Sequence, residues 1–282
     1  MRPLGEILSL SVQYLASRNV ASSRLVVELL LAHLLKMKRI DLYLHFDLPL
    51  KEEELTVLRA LLKEAAAHKP VEYILQEVEF YGCRLQVSSA VLIPRKETEI
   101  LVDKAVGILR KESLEGKVVL DLCAGSGCMG LSIKKTFPSL HVVLSDMSEE
   151  AVQVCVKNAL QNQLDVECLL GDFLTPFAGK KADFVFCNPP YVTNGEYESL
   201  EPSVKNFEPR LALVSGPSGL EFYERLAREL PAYLVKGAKL FLEIGTGQGE
   251  KLFEIFSSHF WKTKELLCDF AGHDRFFFLE IE

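Results

Sequence analysis

Four consecutive residues, Asn188-Pro189-Pro190-Tyr191, are the strongest candidates for chemistry in the sequence. They follow the apolar run ADFVFC, which predicts a buried strand, so they would stand at its carboxyl end. The two prolines fix an extended backbone and remove two N–H donors, which leaves mainly acceptors. The Asn188 side-chain oxygen and the Pro189 carbonyl would accept both hydrogens of an amide or nucleobase NH₂ group, while Tyr191 stacks on its plane. Taken alone, the tetrapeptide is also typical of a rigid turn after a strand.

A glycine-containing loop, Cys123-Ala124-Gly125-Ser126-Gly127, follows a second strand-like run that contains Asp121. A strand, a tight glycine turn and a helix N-terminus together let a ligand approach the backbone closely. The DxxxGxG spacing differs from the GxGxxG pattern of nicotinamide-binding folds, so a dinucleotide pyrophosphate is the weaker candidate. A nucleoside cofactor without phosphates, such as S-adenosyl-L-methionine, suits a loop that passes close to an amino acid and a ribose.

Two further acidic positions end strand-like runs. Asp146 lies 25 residues beyond Asp121, where an adenosine-binding α/β fold needs a carboxylate to accept from the ribose hydroxyls. Its alternative role is to cap the helix that follows, and both roles are compatible. Asp172 and Phe173 would bracket an adenine, with the carboxylate accepting from the exocyclic amine and the ring covering the base. They fit equally a strand-ending turn with Phe173 in the core.

The cysteines do not form a pattern typical of metal or disulfide chemistry. There are seven, dispersed and without a CxxC pair, which favours reduced thiols in a cytosolic protein. Cys123 and Cys128 with His141 would make a loose zinc cluster, whereas zinc sites usually have tighter paired ligands, so we expect no metal. Cys187 directly precedes Asn188 but has no histidine nearby in sequence, which favours packing over a nucleophilic role.

The elements that must position these residues follow from hydrophobic periodicity. Residues 1–75 predict a small helical bundle, in which Ser22 or Ser23 caps the second helix. Residues 76–93 predict a β-hairpin linker around Gly82. Residues 94–282 alternate strand-like and helix-like runs, which predicts an open α/β sheet of parallel strands with a C-terminal antiparallel hairpin. The candidate loops would then meet at one edge of that sheet.

Length and charge limit the classes of protein that fit. The 282 residues correspond to about two domains, and 49% hydrophobic residues suffice for two packed cores, which excludes disordered and fibrous classes. The formal charge of −7 provides no counterion-release drive for coating nucleic acid. The first residues lack a signal-peptide pattern, and the most apolar stretch, Val26–Leu35, is about half the ~20 residues that a membrane helix needs. We therefore expect no export and no membrane anchoring.

From about residue 70 to the C-terminus, the chain resembles the PrmC/HemK family in a series of blocks: VEYILQEVEFYGCRLQV, VLIPRKETEILVDKA, DLCAGSGCMGLSI, GDFLTPF, NPPYV, EPRLALVSGPSGLEFYERL, LFLEIGTGQG and DFAGHDR. The IPRKETE and EPRLAL blocks are specific, since methyltransferases in general lack them. The chain departs from the family pattern in reading CAGSG for GTGSG, Lys96 for a proline and Ser218 for an aspartate. None of these departures removes a proposed catalytic group.

The resemblance implies a Rossmann-like class I S-adenosyl-L-methionine-dependent methyltransferase domain over residues 94–282 and a helical substrate-docking domain over residues 1–75. It implies that the loop from Cys123 through Gly127 lines the methionine part of the cofactor, that Asp146 holds the ribose, and that Phe173 lies against the adenine. It also implies that the NPPY residues grip the substrate amide, with Asn188, Pro189 and Tyr191 as the catalytic residues. Among other polar residues, Arg95, Glu97 and Glu99 would either close over the cofactor or begin a helix. Glu243 ends a strand at the same sheet edge, where it would either point into the site or cap and fix a loop.

Enzymes of the family methylate the side-chain amide nitrogen (N5) of the glutamine in the GGQ motif of peptide-chain release factors. The resemblance therefore implies an enzyme with a release factor as partner. The dispersed cysteines add the expectation of a cytoplasmic location, and the acidic charge that of no direct nucleic-acid contact. One alternative is an adenine-N6 or guanine-N2 methyltransferase, because nucleobase amines satisfy the same NPPY acceptors; the acidic charge balance opposes it. A second alternative is a binding module that has lost catalysis, which the intact NPPY and GSG motifs oppose.

Overall fold

The computed structural model describes residues 2–282, which form two compact units. The smaller unit extends to Gln76 and includes the segment Glu201–Phe207, and the larger unit contains Glu77–Leu200 and Glu208–Glu282. No helix within the described residues combines the length and the apolar composition that crossing a bilayer requires.

The smaller unit is a helical bundle, as its periodicity predicted. Its first five helices are α1 Leu4–Ser17, α2 Ser23–Leu35, α3 Asp41–Leu44, α4 Glu52–Ala66 and α5 Val71–Leu75. Leucines from α1, α2 and α4 form its core. Ser22 occupies the N-cap position of α2, as expected, but with a φ of 50° its side chain makes no capping hydrogen bond. The Ser23 hydroxyl instead donates backwards to the Val20 carbonyl at 2.6 Å.

The larger unit carries all the strands, in the chain order β1 Glu77–Phe80, β2 Cys83–Gln86, β3 Val118–Leu122, β4 His141–Asp146, β5 Glu167–Leu170, β6 Ala182–Cys187, β7 Val192–Thr193, β8 Val214–Gly216, β9 Leu234–Glu243, β10 Trp261–Cys268 and β11 Asp274–Ile281. Its helices are α6 Lys96–Leu109, α7 Cys128–Thr136, α8 Glu149–Gln161, α9 Asn194–Tyr197, α11 Glu221–Glu229 and α12 Gly249–Ile255, while α10 Pro202–Lys205 belongs to the smaller unit. Single 3-10 turns lie at Thr175–Phe177, Arg210–Ala212 and Leu230–Tyr233.

Seven strands form one sheet in the order β10-β11-β9-β6-β3-β4-β5. The pairs β3–β4, β3–β6, β4–β5 and β6–β9 are parallel, and β11 runs antiparallel to β9 and β10. The predicted open α/β sheet and terminal hairpin are thereby confirmed. The chain moves from β3 outward to β5 and then returns to β6 on the other side of β3. Ligands bind at such a switch point in open α/β sheets, beyond the carboxyl ends of the strands.

The core of the larger unit lies on both faces of the sheet. Successive strand residues point to opposite faces, so Val119 belongs to one buried cluster and Leu120 to the other. The hairpin β1–β2, for which the sequence indicated a linker, contributes Phe80, Cys83 and Leu85 to the first of these clusters. It is therefore an integral part of the larger unit.

Candidate functional site

A cavity with an empty volume of about 980 Å³ opens at the carboxyl ends of β3, β4, β5 and β6. This is the switch-point edge of the sheet, where ligands bind in open α/β folds. Its walls include most of the residues singled out from the sequence: Cys123, Ala124, Gly125, Ser126, Asp146, Asp172, Phe173, Asn188 and Pro190. Gly127, Pro189 and Tyr191 lie next to these residues in the chain but do not line the cavity.

The glycine loop has a backbone conformation that few residue types adopt readily. Cys123, Gly125 and Gly127 have φ values of 56°, 53° and 80°, in the left-handed region. A Cβ on Gly125 would meet no atom within 4 Å, so the backbone there faces the open cavity. A Cβ on Gly127, by contrast, would lie 2.7 Å from the Cys155 sulfur. Gly125 is therefore needed for its backbone conformation, and Gly127 both for its conformation and for the space beside Cys155.

Hydrogen bonds from neighbouring elements hold the glycine loop in place. The Ala124 N–H donates to the Ser145 carbonyl of β4 at 2.9 Å. The fully buried Asn158 of α8 donates to the Ser126 carbonyl at 2.9 Å, and its amide also makes two hydrogen bonds with the Gln86 backbone of the hairpin. Nothing in the local sequence marked Asn158, because both of its partners are distant in the chain.

Asp121 lies beneath the loop and not in the cavity. One carboxylate oxygen accepts from the Gly130 N–H in the first turn of α7 at 2.8 Å, and the other has no hydrogen-bond partner among the described residues. Complete burial raises the pKa of Asp121 to about 7. Its role in the structure is to join β3 to the start of α7.

Asp146 joins the end of β4 to the glycine loop. Its carboxylate accepts from the Gly125 N–H at 2.8 Å and from the Ser148 N–H at 3.0 Å. The cap of α8 is Ser148, whose hydroxyl accepts from the Ala151 N–H. Burial raises the pKa of Asp146, against the effect of these backbone donors. Each oxygen keeps acceptor capacity toward the cavity, so Asp146 can bind a pair of hydroxyls.

Asp172 and Phe173 are held by one arginine of α11. Arg225 donates to both oxygens of Asp172, at 2.8 and 2.9 Å, which lowers the pKa of that carboxyl. The same guanidinium lies 4.6 Å from the centroid of the Phe173 ring. Phe222, one helical turn before Arg225, meets that ring edge-on at 5.9 Å. Phe173 is 5% exposed: it packs in the core and also forms part of the cavity wall.

The NPPY loop presents one free amide to the cavity. Within residues 2–282 no hydrogen bond engages the Asn188 side chain, which lines the cavity and is half-buried. Pro189 and Pro190 are buried. Tyr191 packs against the second core cluster, and burial, together with the charge of Glu243, raises the pKa of its phenol to about 12. The Tyr191 ring therefore lies beside the cavity, whereas the sequence predicted that it stacks on the substrate.

The IPRKETE and EPRLAL blocks meet through a residue that the sequence reading missed. Glu208, 5% exposed, accepts from the Arg95 guanidinium and from the Ile93 N–H at 3.2 Å. This contact places Arg95 on one wall of the cavity and the short turn that contains Leu211 on another. The sequence signal for Glu208 was its place in a block that is specific to the family. Nothing in either block indicated that the two blocks contact each other.

Glu243 ends β9 and is almost fully buried. It accepts from the Thr98 hydroxyl at 2.6 Å, and Thr98 lines the cavity from the start of α6. Burial raises the pKa of Glu243 to about 7. The structure thus favours the loop-fixing role of Glu243 over a direct one.

Neither the zinc cluster of Cys123, Cys128 and His141 nor a nucleophilic Cys187 has geometric support in the described residues. No group of three or more His, Cys, Asp or Glu side chains within 2–282 is arranged to hold a metal ion, and His141 is instead paired with Glu167 at 2.8 Å. Cys187 is fully buried, and burial raises the pKa of its thiol, which opposes a nucleophilic thiolate.

Two family models match the chain. Residues 6–75 match the PrmC N-terminal domain, and residues 98–203 match the methyltransferase small domain. A release factor glutamine methyltransferase of Chlamydia trachomatis is 40% identical over 275 residues, which cover 98% of this chain and 93% of that protein. Another, of Geobacter sulfurreducens, is 36% identical over 252 residues, covering 89% and 87% of the two chains.

Solved structures with a similar fold cover most of the chain. A methyltransferase from Pyrococcus furiosus matches with a TM-score of 0.52 and 16% identity, over 80% of this chain and 98% of that one. The 16S rRNA N2 G1207 methyltransferase of Thermus thermophilus, solved with AdoMet and guanosine, matches with a TM-score of 0.52 and 17% identity, over 73% and 50%. At this level of identity the likeness concerns the fold alone.

Proposed function

Because the chain belongs to the release factor glutamine methyltransferase family, we propose that it transfers a methyl group from S-adenosyl-L-methionine to N5 of the glutamine in the GGQ motif of a peptide-chain release factor. The observation that carries the proposal is the unengaged Asn188 amide, which faces the same cavity as the glycine loop and Asp146. A methyl donor and an NH₂-bearing acceptor can therefore occupy one site.

The cavity residues fit the cofactor in shape and chemistry. The open backbone at Gly125 lets an amino-acid moiety approach the loop from Cys123 through Gly127. Asp146 accepts from the ribose hydroxyls, while Asp172 accepts from the adenine amine and Phe173 borders the base. When bound, the cofactor supplies a methyl group activated by its positively charged sulfur.

The NPPY loop positions the acceptor nitrogen. An amide nitrogen is a poor nucleophile because its lone pair is delocalised into the carbonyl. Asn188 Oδ1, at the cavity wall, accepts one of its two hydrogens. The carbonyl of the adjacent Pro189 is proposed to accept the other, although Pro189 is not itself a lining residue. Holding both hydrogens fixes the direction of the nitrogen, and such orientation contributes several kcal/mol, within the ~7–11 of well-oriented intramolecular reactions. Tyr191 supports the loop from its packed position. Direct displacement follows, without a covalent enzyme intermediate or a strong base.

The partner and the cellular location complete the proposal. The substrate is a folded protein loop, so a docking surface besides the cavity is needed, and we assign it to the helical domain of residues 1–75. The net charge of −7 gives no electrostatic drive toward nucleic acid, so we propose no direct nucleic-acid contact. The dispersed cysteines fit a reducing, cytoplasmic location.

The test is transfer of a labelled methyl group from S-adenosyl-L-methionine to a purified release factor, with its GGQ→GGA variant, bulk RNA and bulk DNA as parallel acceptors. We expect label on the intact factor alone. Label on nucleic acid would contradict the proposal in favour of a nucleobase amine. Measurable cofactor binding without any transfer would identify a non-catalytic binding module.

A further inference from the structure

Gln248, at the N-cap of α12, connects three loops at the carboxyl edge of the sheet. Its Oε1 accepts from the Gly245 N–H at 2.9 Å. Its Nε2 donates to the Tyr191 carbonyl and to the Gly219 carbonyl, both at 3.2 Å. Both amide hydrogens are thus used, each on a different loop, and one of those loops carries NPPY.

Two glycines leave the space in which this contact forms. Gly219 has a φ of 76°, and a Cβ there would lie 2.5 Å from the Tyr191 carbonyl oxygen and 3.0 Å from Gln248 Nε2. A Cβ on Gly245 would lie 2.8 Å from Gln248 Oε1 and 3.1 Å from the Tyr191 ring. A side chain at Gly219 or Gly245 would displace either the Gln248 amide or the Tyr191 carbonyl to which this amide donates. The geometry is therefore built around the Gln248 amide.

The NPPY loop has few other means of fixing its backbone. Pro189 and Pro190 lack N–H groups, so the loop has no donors of its own between Asn188 and Tyr191. Beyond Tyr191, the Val192 N–H donates to the Leu213 carbonyl at 2.9 Å, where β7 pairs with β8. The Tyr191 carbonyl, directly before that anchor, is held by Gln248.

We infer that Gln248 is a positioning residue for methyl transfer: through the Tyr191 carbonyl it sets the orientation of the NPPY loop, and hence of the substrate amide, relative to the cofactor. The inference rests on the function proposed above. Gln248 itself does not line the cavity, so its loss acts on the reaction step and leaves cofactor binding intact.

The test is Gln248→Glu, which keeps the size and the acceptor for Gly245 but turns a carboxylate oxygen toward two carbonyls. In an assay with a release factor and labelled S-adenosyl-L-methionine, we expect the kcat of the variant to be about 100-fold lower than that of the wild type. This is the loss typical of a reacting group displaced by about 1 Å. The Kd for the cofactor, from calorimetry, stays within about 2-fold.

A pH profile separates positioning from general damage. The new carboxyl is half-buried and faces two carbonyl oxygens, which raises its pKa above the ordinary value of about 4.3. Its protonation restores one donor, so the ratio of variant to wild-type kcat rises as pH falls from 9 to 5. Gly219→Ala provides a second variant, which crowds the same carbonyl and lowers kcat without weakening cofactor binding. The matched control is Gln161→Glu: Gln161 of α8 also donates to a backbone carbonyl, that of Arg84, at 3.3 Å, and its loss should leave kcat unchanged.

Three results would overturn the inference. Full kcat in Gln248→Glu shows that the contact is dispensable, a pH-independent ratio shows that the donor does not matter, and a parallel loss of cofactor affinity assigns Gln248 to the cofactor site. Wild-type enzyme that fails to label the release factor is a distinct outcome, since it refutes the proposed function and, with it, this inference.

Discussion

Replacing Asp146 by alanine distinguishes two roles of this residue, that of a ligand of the cofactor and that of an anchor of the glycine loop. In the structure its carboxylate accepts from the Gly125 and Ser148 N–H groups at 2.8 and 3.0 Å, and both oxygens retain acceptor capacity toward the cavity. If that capacity receives the two ribose hydroxyls, Asp146→Ala removes two hydrogen bonds to a charged group, each worth about 1.5–3 kcal/mol. Taking the lower end, the loss of about 3 kcal/mol corresponds to about 100-fold in Kd.

The variant also leaves two backbone donors without their partner, which lowers the free energy of unfolding by about 2 kcal/mol. The matched control is Asp183→Ala. Asp183 lies at the amino end of β6, away from the cavity, and likewise accepts from a backbone N–H, that of Val118, at 2.9 Å, as well as from Lys117. Its loss should destabilise the fold comparably without changing cofactor affinity.

The assay is calorimetric titration with S-adenosyl-L-methionine, alongside urea unfolding of the same preparations. We expect weak cofactor binding for Asp146→Ala and normal binding for Asp183→Ala, with both proteins destabilised. A Kd for Asp146→Ala within about 2-fold of wild type would refute the reasoning and leave Asp146 as a loop anchor. Equal weakening in both variants would attribute the effect to lost stability.

Three further predictions concern other parts of the site. Asn188→Ala should bind S-adenosyl-L-methionine normally in calorimetry but lose most methyl transfer in the labelled assay, because Asn188 acts on the acceptor amide; an unchanged rate contradicts the NPPY mechanism. Arg225→Met, which frees Asp172 and Phe173, should raise the cofactor Kd about tenfold, or about 1.4 kcal/mol, and weaken discrimination against an analogue carrying hypoxanthine for adenine; unchanged discrimination in competition titrations contradicts this. Burial raises the pKa of Glu243 from 4.5 to about 7, so the folded state binds one more proton than the unfolded state between these pH values. The free energy of unfolding of the wild type should therefore fall by about 3 kcal/mol from pH 4.5 to 7, relative to that of Glu243→Gln. Urea unfolding that gives the two proteins the same pH dependence of this free energy contradicts the prediction.

The architecture around the site follows from local patterns in the sequence. Buried parallel strands are apolar on both faces, and Val119 and Leu120 of β3 show this directly, since each packs on a different side of the sheet. Loops after such strands must meet at one edge, which is why Asp146 and Asn188 could be placed in one cavity from spacing alone.

The supporting contacts could not be predicted in this way, because they join residues that are distant in the chain. Arg225 and Asp172 are 53 positions apart, and Arg95 and Glu208 are 113 apart. Tyr191 illustrates the same limit: its place in the motif indicated a stacking partner for the substrate, yet the ring packs beside Gly245 because a glycine there leaves room for it. Side-chain orientation of this kind depends on tertiary packing, which has no local sequence signal.

The most direct measurement is the position of the transferred methyl group on the product. A release factor incubated with the enzyme and S-adenosyl-L-methionine is digested, and the peptide that contains GGQ is fragmented in a mass spectrometer. Glutamine N5-methylation predicts the added mass of one methyl group on that glutamine and on no other residue. An unmodified GGQ peptide, or a methyl group located elsewhere in the factor, would contradict the account.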